Sequence, residues 1–171
     1  VLAPILYDEN YSENYIEIQD FGDQTIFKEL NKKRKNKLDY FKNIINLLNK
    51  IQSIKSRKVK NFKNKIYTIP EYDRGILLKE ANLFCEWYAK KYLSKFRKKK
   101  LSKNFKKIIK TLTLSLKLKN NVFVHRDFHV SNLMLVNNRI GVIDSQDALI
   151  GNKAYDLASM IDDVRFKTSK S

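Results

Sequence analysis

One cysteine, Cys85, stands in 171 residues. That excludes a disulfide framework and a four-thiolate zinc site, and it suits a reducing cytosol. Glycine and proline are nearly as scarce, at four and two, which excludes a collagen-like chain and a Pro/Gly-rich disordered one. No apolar run approaches the ~18 residues that cross a bilayer as a helix. No basic stretch followed by an apolar one opens the sequence, so neither membrane association nor a secretory leader is expected. Acid is deficient too: 18 Asp and Glu stand against 35 Lys and Arg, for a formal net charge of +17. What is present suffices for a core, since 43% of residues are hydrophobic and 12% aromatic. A wholly disordered tail is thereby excluded, and the length suits about one domain.

The excess charge is unevenly placed. Residues 1–27 carry −6, residues 28–65 carry +12, residues 66–89 carry −2, residues 90–119 carry +13, and residues 120–171 are neutral. Of the 35 bases 28 are Lys, whereas bidentate phosphate contacts and base reading favour Arg. Asn and Ile are also abundant, at 17 each, and the joint rise of Lys, Asn and Ile resembles a genome-wide coding bias. The blocks read as a solvated Lys coat on helix exteriors and loops. A basic binding module for nucleic acid or anionic surfaces is the alternative.

Periodicity divides the chain into two styles. Tyr15 to Gln19 alternates as a strand and ends at Asp20-Phe21-Gly22-Asp23. Helices are expected over Gln24–Leu30 and from Leu38, where Phe41, Ile44, Ile45, Leu48 and Ile51 form a stripe. Ser53 to Tyr72 is weakly periodic and reads as a loop. Asp73 suits the cap of a helix striped by Leu77, Ala81, Phe84, Tyr88 and Tyr92, with Cys85 beside the stripe as core filler. Phe84, Trp87 and Tyr88 read as core aromatics. Ser102 suits the cap of another helix, with Phe105, Ile108, Ile109, Leu112 and Leu116 on one face. Short apolar runs then follow at Val122–Val124 and Leu133–Val136. Asn137-Asn138 has the chemistry of a two-residue hairpin turn, returning through Arg139–Ile143. A last helix is expected over Ala154–Val164, with Asp162-Asp163 a solvated pair. There is no internal repeat.

The chemistry-bearing pattern lies between these strands. His125-Arg126-Asp127-Phe-His-Val-Ser-Asn132 fits H-R-D-x-x-x-x-N, the catalytic-loop pattern of protein kinases, and Asp144 follows twelve residues after the Asn in Ile143-Asp144-Ser-Gln-Asp147. The spacing has a physical logic. A tight loop aims the Asp127 carboxylate at a hydroxyl, and the hairpin returns Asp144 beside the Asn132 amide. Carboxylate and amide oxygens are the hard donors magnesium prefers, together with nucleotide phosphates. The competing reading is a polar turn between buried strands, with Asp127 and Asn132 as local caps. His125 and His129 stand four apart, but no third His or suitable Cys accompanies them, so a zinc site is not expected.

No D-F-G occurs; Asp144 is followed by Ser-Gln-Asp. The residues instead resemble the aminoglycoside phosphotransferase and choline kinase superfamily, with its H-x-D-x-x-x-x-N and I-D-x-x-D patterns. More narrowly they resemble bacterial N-acetylmuramate/N-acetylglucosamine kinases, through His125–Met134, Gly141–Ala148, Gly151–Asp163, Leu83–Tyr88 and Ile18–Thr25. The resemblance implies an α+β, protein-kinase-like fold: mainly the helical C-terminal lobe with a catalytic β-hairpin, the N-terminal lobe largely absent. Residues 1–23 would be the end of the small lobe and the hinge, and 24–171 the truncated helical lobe. It implies ATP and Mg2+, a small-molecule hydroxyl acceptor (an amino sugar), and a cytoplasmic monomer. Asp127 would be the catalytic base, and Asn132 and Asp144 the magnesium ligands. His125 and Asp156 would support the loop, Asp147 and Glu86 would touch the sugar, and the Gln19-Asp20 backbone would face the adenine. A phosphate-covering glycine loop and a strand lysine are missing, so the chain is expected to be a fragment that is inactive alone. A pseudokinase-like remnant is the other account of that gap.

Overall fold

The structure, a computed structural model, describes residues 1–10, 12–32, 37–60, 64–115 and 119–166. These fall into two compact units, residues 1–70 with 121–171, and residues 71–120.

In the first unit β1 (Leu6–Asn10) pairs antiparallel with β2 (Tyr15–Ile18). Thr25 then caps α1 (Ile26–Asn31), its hydroxyl accepting from the Lys28 N–H at 3.1 Å. The long helix α2 (Lys37–Gln52) buries Ile44, Leu47, Leu48 and Ile51. The buried stripe therefore runs through Leu47, and Ile45 lies exposed. A hairpin of β3 (Lys58–Lys60) and β4 (Ile66–Thr68) occupies the stretch expected to be a loop. All six of its strand residues are exposed, so no buried face had imposed an alternation.

The core of this unit joins Ile26 and Leu30 of α1, the α2 stripe, Phe128 and Val130, and Leu133, Val142 and Met160. Burying side chains of this kind contributes ~1.5–3 kcal/mol each. Around it, β5 (Val122–Val124) pairs antiparallel with β8 (Leu149–Gly151), and β6 (Leu133–Val136) with β7 (Arg139–Val142). Asn137 and Asn138 turn the second pair with φ of 47° and 59°, the left-handed geometry a two-residue turn requires. Helix α6 (Ala154–Ile161) ends three residues before the expected Val164. Asp163, expected in solvent, is buried, whereas Asp162 is exposed.

The second unit is helical. Asp73 caps α3 (Arg74–Leu83) by accepting from the Ile76 N–H at 2.8 Å. A π-helical turn over Phe84–Tyr88 then leads into α4 (Ala89–Tyr92). The wider turn shifts the register, which a constant 3.6-residue stripe does not anticipate. Cys85 and Ala89 become the buried residues, while Phe84, Trp87, Tyr88 and Tyr92 are exposed. Phe84 and Tyr88 stack at 5.3 Å, and Phe105 lies 5.2 Å from Phe84. Helix α5 (Lys95–Ser115) starts seven residues before Ser102, which is therefore interior to the helix and not its cap. Ile108 and Leu112 of the expected stripe are exposed, and Leu116 lies outside the described residues.

Candidate active site

Asp156 organises the loop that follows β5. Its carboxylate is buried and accepts two main-chain bonds, from His125 N–H at 2.8 Å and Arg126 N–H at 3.0 Å. Burial pushes the Asp156 carboxyl above its ordinary value, and these two N–H donors pull it back. The His125 ring is buried as well, with Nε2 3.0 Å from the Ile143 carbonyl. A carbonyl only accepts, so Nε2 carries the proton. Ile143 donates its own N–H to the Asn132 carbonyl at 3.1 Å. The strand leaving β7 is thus strapped to the loop on both sides, and the next residue is Asp144.

That strapping brings three expected residues together. Asn132 Nδ2 donates to the Asp127 carbonyl at 3.1 Å and lies 3.4 Å from Asp144 Oδ2. Gln146 Nε2 donates to the other oxygen of Asp144 at 2.8 Å. The Asp127 and Asp144 side chains face solvent. Two backbone positions are left-handed despite bearing a side chain, Arg126 at φ 77° and Asp144 at φ 68°. Such positions cluster where the surrounding structure over-determines them. For Arg126 the restraints are the bond from its N–H to Asp156 and a 3.1 Å bond from Nη1 to the Asp147 carbonyl. The Asp147 carboxylate, 64% exposed, reaches only 4.0 Å from that guanidinium.

The remaining expected residues stand elsewhere. Gln19 donates its N–H to the Ile5 carbonyl at 2.7 Å, and Asp20 accepts from Gly22 N–H at 2.6 Å in a tight turn. This segment reaches the hairpin: a Cβ on Gly141 would lie 2.7 Å from the Phe21 ring, and the Leu135 N–H donates to Gln24. Glu86 lies exposed in the second unit, hydrogen-bonded to Asn82. The sequence alone assigns Arg126 and Gln146 no role. Both lie inside the motifs, but only the folded loops reveal their partners.

A hard divalent cation fits the donors at Asp144. The carboxylate is solvent-facing, and the Asn132 amide beside it, which turns Nδ2 towards Asp144 Oδ2 here, carries a second hard oxygen, Oδ1. Among the described residues no group of three or more His, Cys, Asp or Glu could hold a metal by itself. The pair suits an ion that completes its shell with water and phosphate oxygens.

A loop and hairpin strapped together so that Asp127, Asn132 and Asp144 gather at their junction suit a phosphotransferase domain of kinase-like fold. The chain belongs to the phosphotransferase enzyme family, whose model matches residues 1–170. It is similar to N-acetylmuramate/N-acetylglucosamine kinases. The likeness is 45% identity over 95 residues to the Neisseria meningitidis serogroup B protein, covering 56% of this chain and 28% of that one. The Pseudomonas aeruginosa protein is 37% identical over 95 residues, with the same coverage. The Pseudomonas putida protein is 27% identical over 163 residues, covering 95% of this chain and 45% of that one. The chain thus spans less than half the length of each. Among solved structures, ADP-bound aminoglycoside phosphotransferase APH(2'')-Ib superposes with a TM-score of 0.65 at 18% identity, covering 97% of this chain and 55% of that one. This likeness supports the α+β, kinase-like fold. No described helix is long and apolar enough to cross a membrane.

Proposed function

We propose that the intact protein carrying this chain transfers the γ-phosphoryl group of ATP to a hydroxyl of an amino sugar of the N-acetylmuramate/N-acetylglucosamine type. The observation that carries the reading is the juxtaposition of Asp127, Asn132 and Asp144 on one strapped loop and hairpin. The sugar class rests on the relatives' names. In this reading residues 1–23 are the end of the small lobe and the hinge, and residues from 24 onward form the helical lobe.

Asp127 accepts the proton of the acceptor hydroxyl as its oxygen turns to the phosphorus. Asn132 and Asp144 would hold magnesium, whose charge would offset that of the phosphates. Asp156 and His125 keep the loop in register through the bonds described above. The Gln19 N–H is already taken by Ile5, so an adenine contact falls to the Gln19 carbonyl and the backbone from Asp20 onward. Asp147 is the proposed sugar contact, held in place through the Arg126 bond to its carbonyl.

The test is ADP release by the intact gene product against a panel of N-acetylmuramate, N-acetylglucosamine, aminoglycosides and choline. Turnover on the two amino sugars supports the reading. Turnover confined to aminoglycosides or choline overturns the acceptor, and none with any acceptor overturns the activity.

A further inference from the structure

His129 is the midpoint of the loop that carries the chemistry. Its N–H donates to the Asp127 carbonyl at 3.0 Å, and its carbonyl accepts from the Asn132 N–H at 2.9 Å. Any rotation of this residue therefore moves both neighbours. Its ring nitrogen Nδ1 is buried and has no hydrogen-bond partner among the described residues.

A second buried atom in the same state is Oδ2 of Asp163, in the turn after α6. The other oxygen of that carboxylate accepts from the Arg165 N–H at 2.9 Å and lies 3.4 Å from Arg165 Nη1. This turn packs over the loop. Phe166 donates its N–H to the Asp163 carbonyl at 3.1 Å and meets Phe27 edge-on at 6.5 Å, and Phe27 donates to the Val130 carbonyl at 3.0 Å. The charges felt most by the His129 ring are those of Arg165 and Asp163. Buried polar atoms are almost always hydrogen-bonded. An imidazole nitrogen that bears the proton and a carboxylate oxygen without a direct bond between them are both satisfied by one bridging water.

We propose that His129 is a positioning residue, whose Nδ1–H is linked to Asp163 Oδ2 through one bridging water, and so fixes the spacing of Asp127 and Asn132. The inference rests on the assignment of those two residues to phosphoryl transfer. Asn substitutes for the Nδ1 edge of histidine and Gln for the Nε2 edge, so the pair discriminates between roles.

The experiment measures kcat and both KM values of the intact gene product, with thermal melts as the check on folding. His129→Leu is expected to lower kcat about 100-fold, the scale of a misplaced reacting group, with both KM values little changed. His129→Asn restores most of the rate, His129→Gln does not, and His129→Leu combined with Asp163→Asn is no slower than His129→Leu alone. Wild-type kcat in His129→Leu, equal rescue by Gln, or multiplicative losses in the double variant would overturn the link. Where His129→Leu fails to fold, the Asn and Gln variants decide. Asp127→Ala is run alongside. Full activity there overturns the site assignment itself; an inactive Asp127→Ala with a normal His129→Leu overturns the link alone.

Discussion

Asp156 is fully buried and charged, so its removal should be felt in stability before it is felt in chemistry. Asp156→Ala leaves the main-chain N–H groups of His125 and Arg126 without their acceptor, where the bonds are now 2.8 and 3.0 Å. Hydrogen bonds to a charged group contribute about 1.5–3 kcal/mol each. Arg126 is only part-buried, which places its share at the low end. The two together come to about 3–5 kcal/mol, and relief of the buried charge brings the net loss to about 2–4 kcal/mol. At roughly 2–4 °C per kcal/mol for a domain of this size, the thermal midpoint falls by about 5–15 °C. Asp156→Asn keeps one acceptor and the volume, so its loss is smaller. The sign of its pH dependence follows from burial. The folded carboxyl holds its proton more tightly than the unfolded one, so its charge opposes folding at neutral pH. That opposition disappears as pH falls through the folded pKa toward 3.8. Wild type should therefore gain on Asp156→Asn as the medium is acidified, the other carboxylates being common to both proteins. Urea unfolding followed by circular dichroism at pH 7 and again near pH 4.5 measures both effects. An Asp156→Ala protein within ~0.5 kcal/mol of wild type, well inside the loss expected from two charged bonds, would refute the reasoning. So would a gap that narrows in acid.

Gln146→Ala removes the 2.8 Å bond to Asp144. With Asp144 as the proposed magnesium ligand, the magnesium concentration for half-maximal activity should rise about 10-fold, the scale for partners of metal ligands, and an unchanged magnesium titration would contradict that role. Gly141→Ala drives a methyl to 2.7 Å from the Phe21 ring. The ring must swing, which costs about 1 kcal/mol, and the KM for ATP should rise because Phe21 follows the proposed hinge; an unaltered KM would separate Phe21 from nucleotide binding. Asn138→Val places a β-branched residue at φ 59° and should cost ~1–2 kcal/mol in urea, whereas Asn138→Gly stays near wild type.

Much of the fold was legible where burial imposed a pattern. Ile44, Leu48 and Ile51 of the α2 stripe, the Asp73 cap and the Asn137-Asn138 turn follow from periodicity and local chemistry, because each sits against a core or in a fixed geometry. The strands β3 and β4 were not, because exposed Lys, Val and Thr residues carry no alternation to read. The π-turn at Phe84–Tyr88 shifted which residues are buried, a change of register that no constant period anticipates. Ser102 has capping chemistry, yet helix-forming Lys and Arg before it extend α5 back to Lys95. At the site, motif spacing brought Asn132 and Asp144 together on paper, and the hairpin does so in space. The roles of Ile143 and Gln146 depend on main-chain straps and side-chain directions, which spacing does not encode.

The charge has a smaller part than its size suggests, since residues 120–171, which hold the loop and hairpin, are neutral. The most direct measurement is phosphate transfer from ATP labelled at the γ-position to N-acetylmuramate or N-acetylglucosamine by the intact gene product, with and without Asp127→Ala. Labelled sugar phosphate from the wild type, and a rate lowered by about 10²–10⁴ in a folded Asp127→Ala, is the predicted result. Equal transfer by the two proteins would contradict the account.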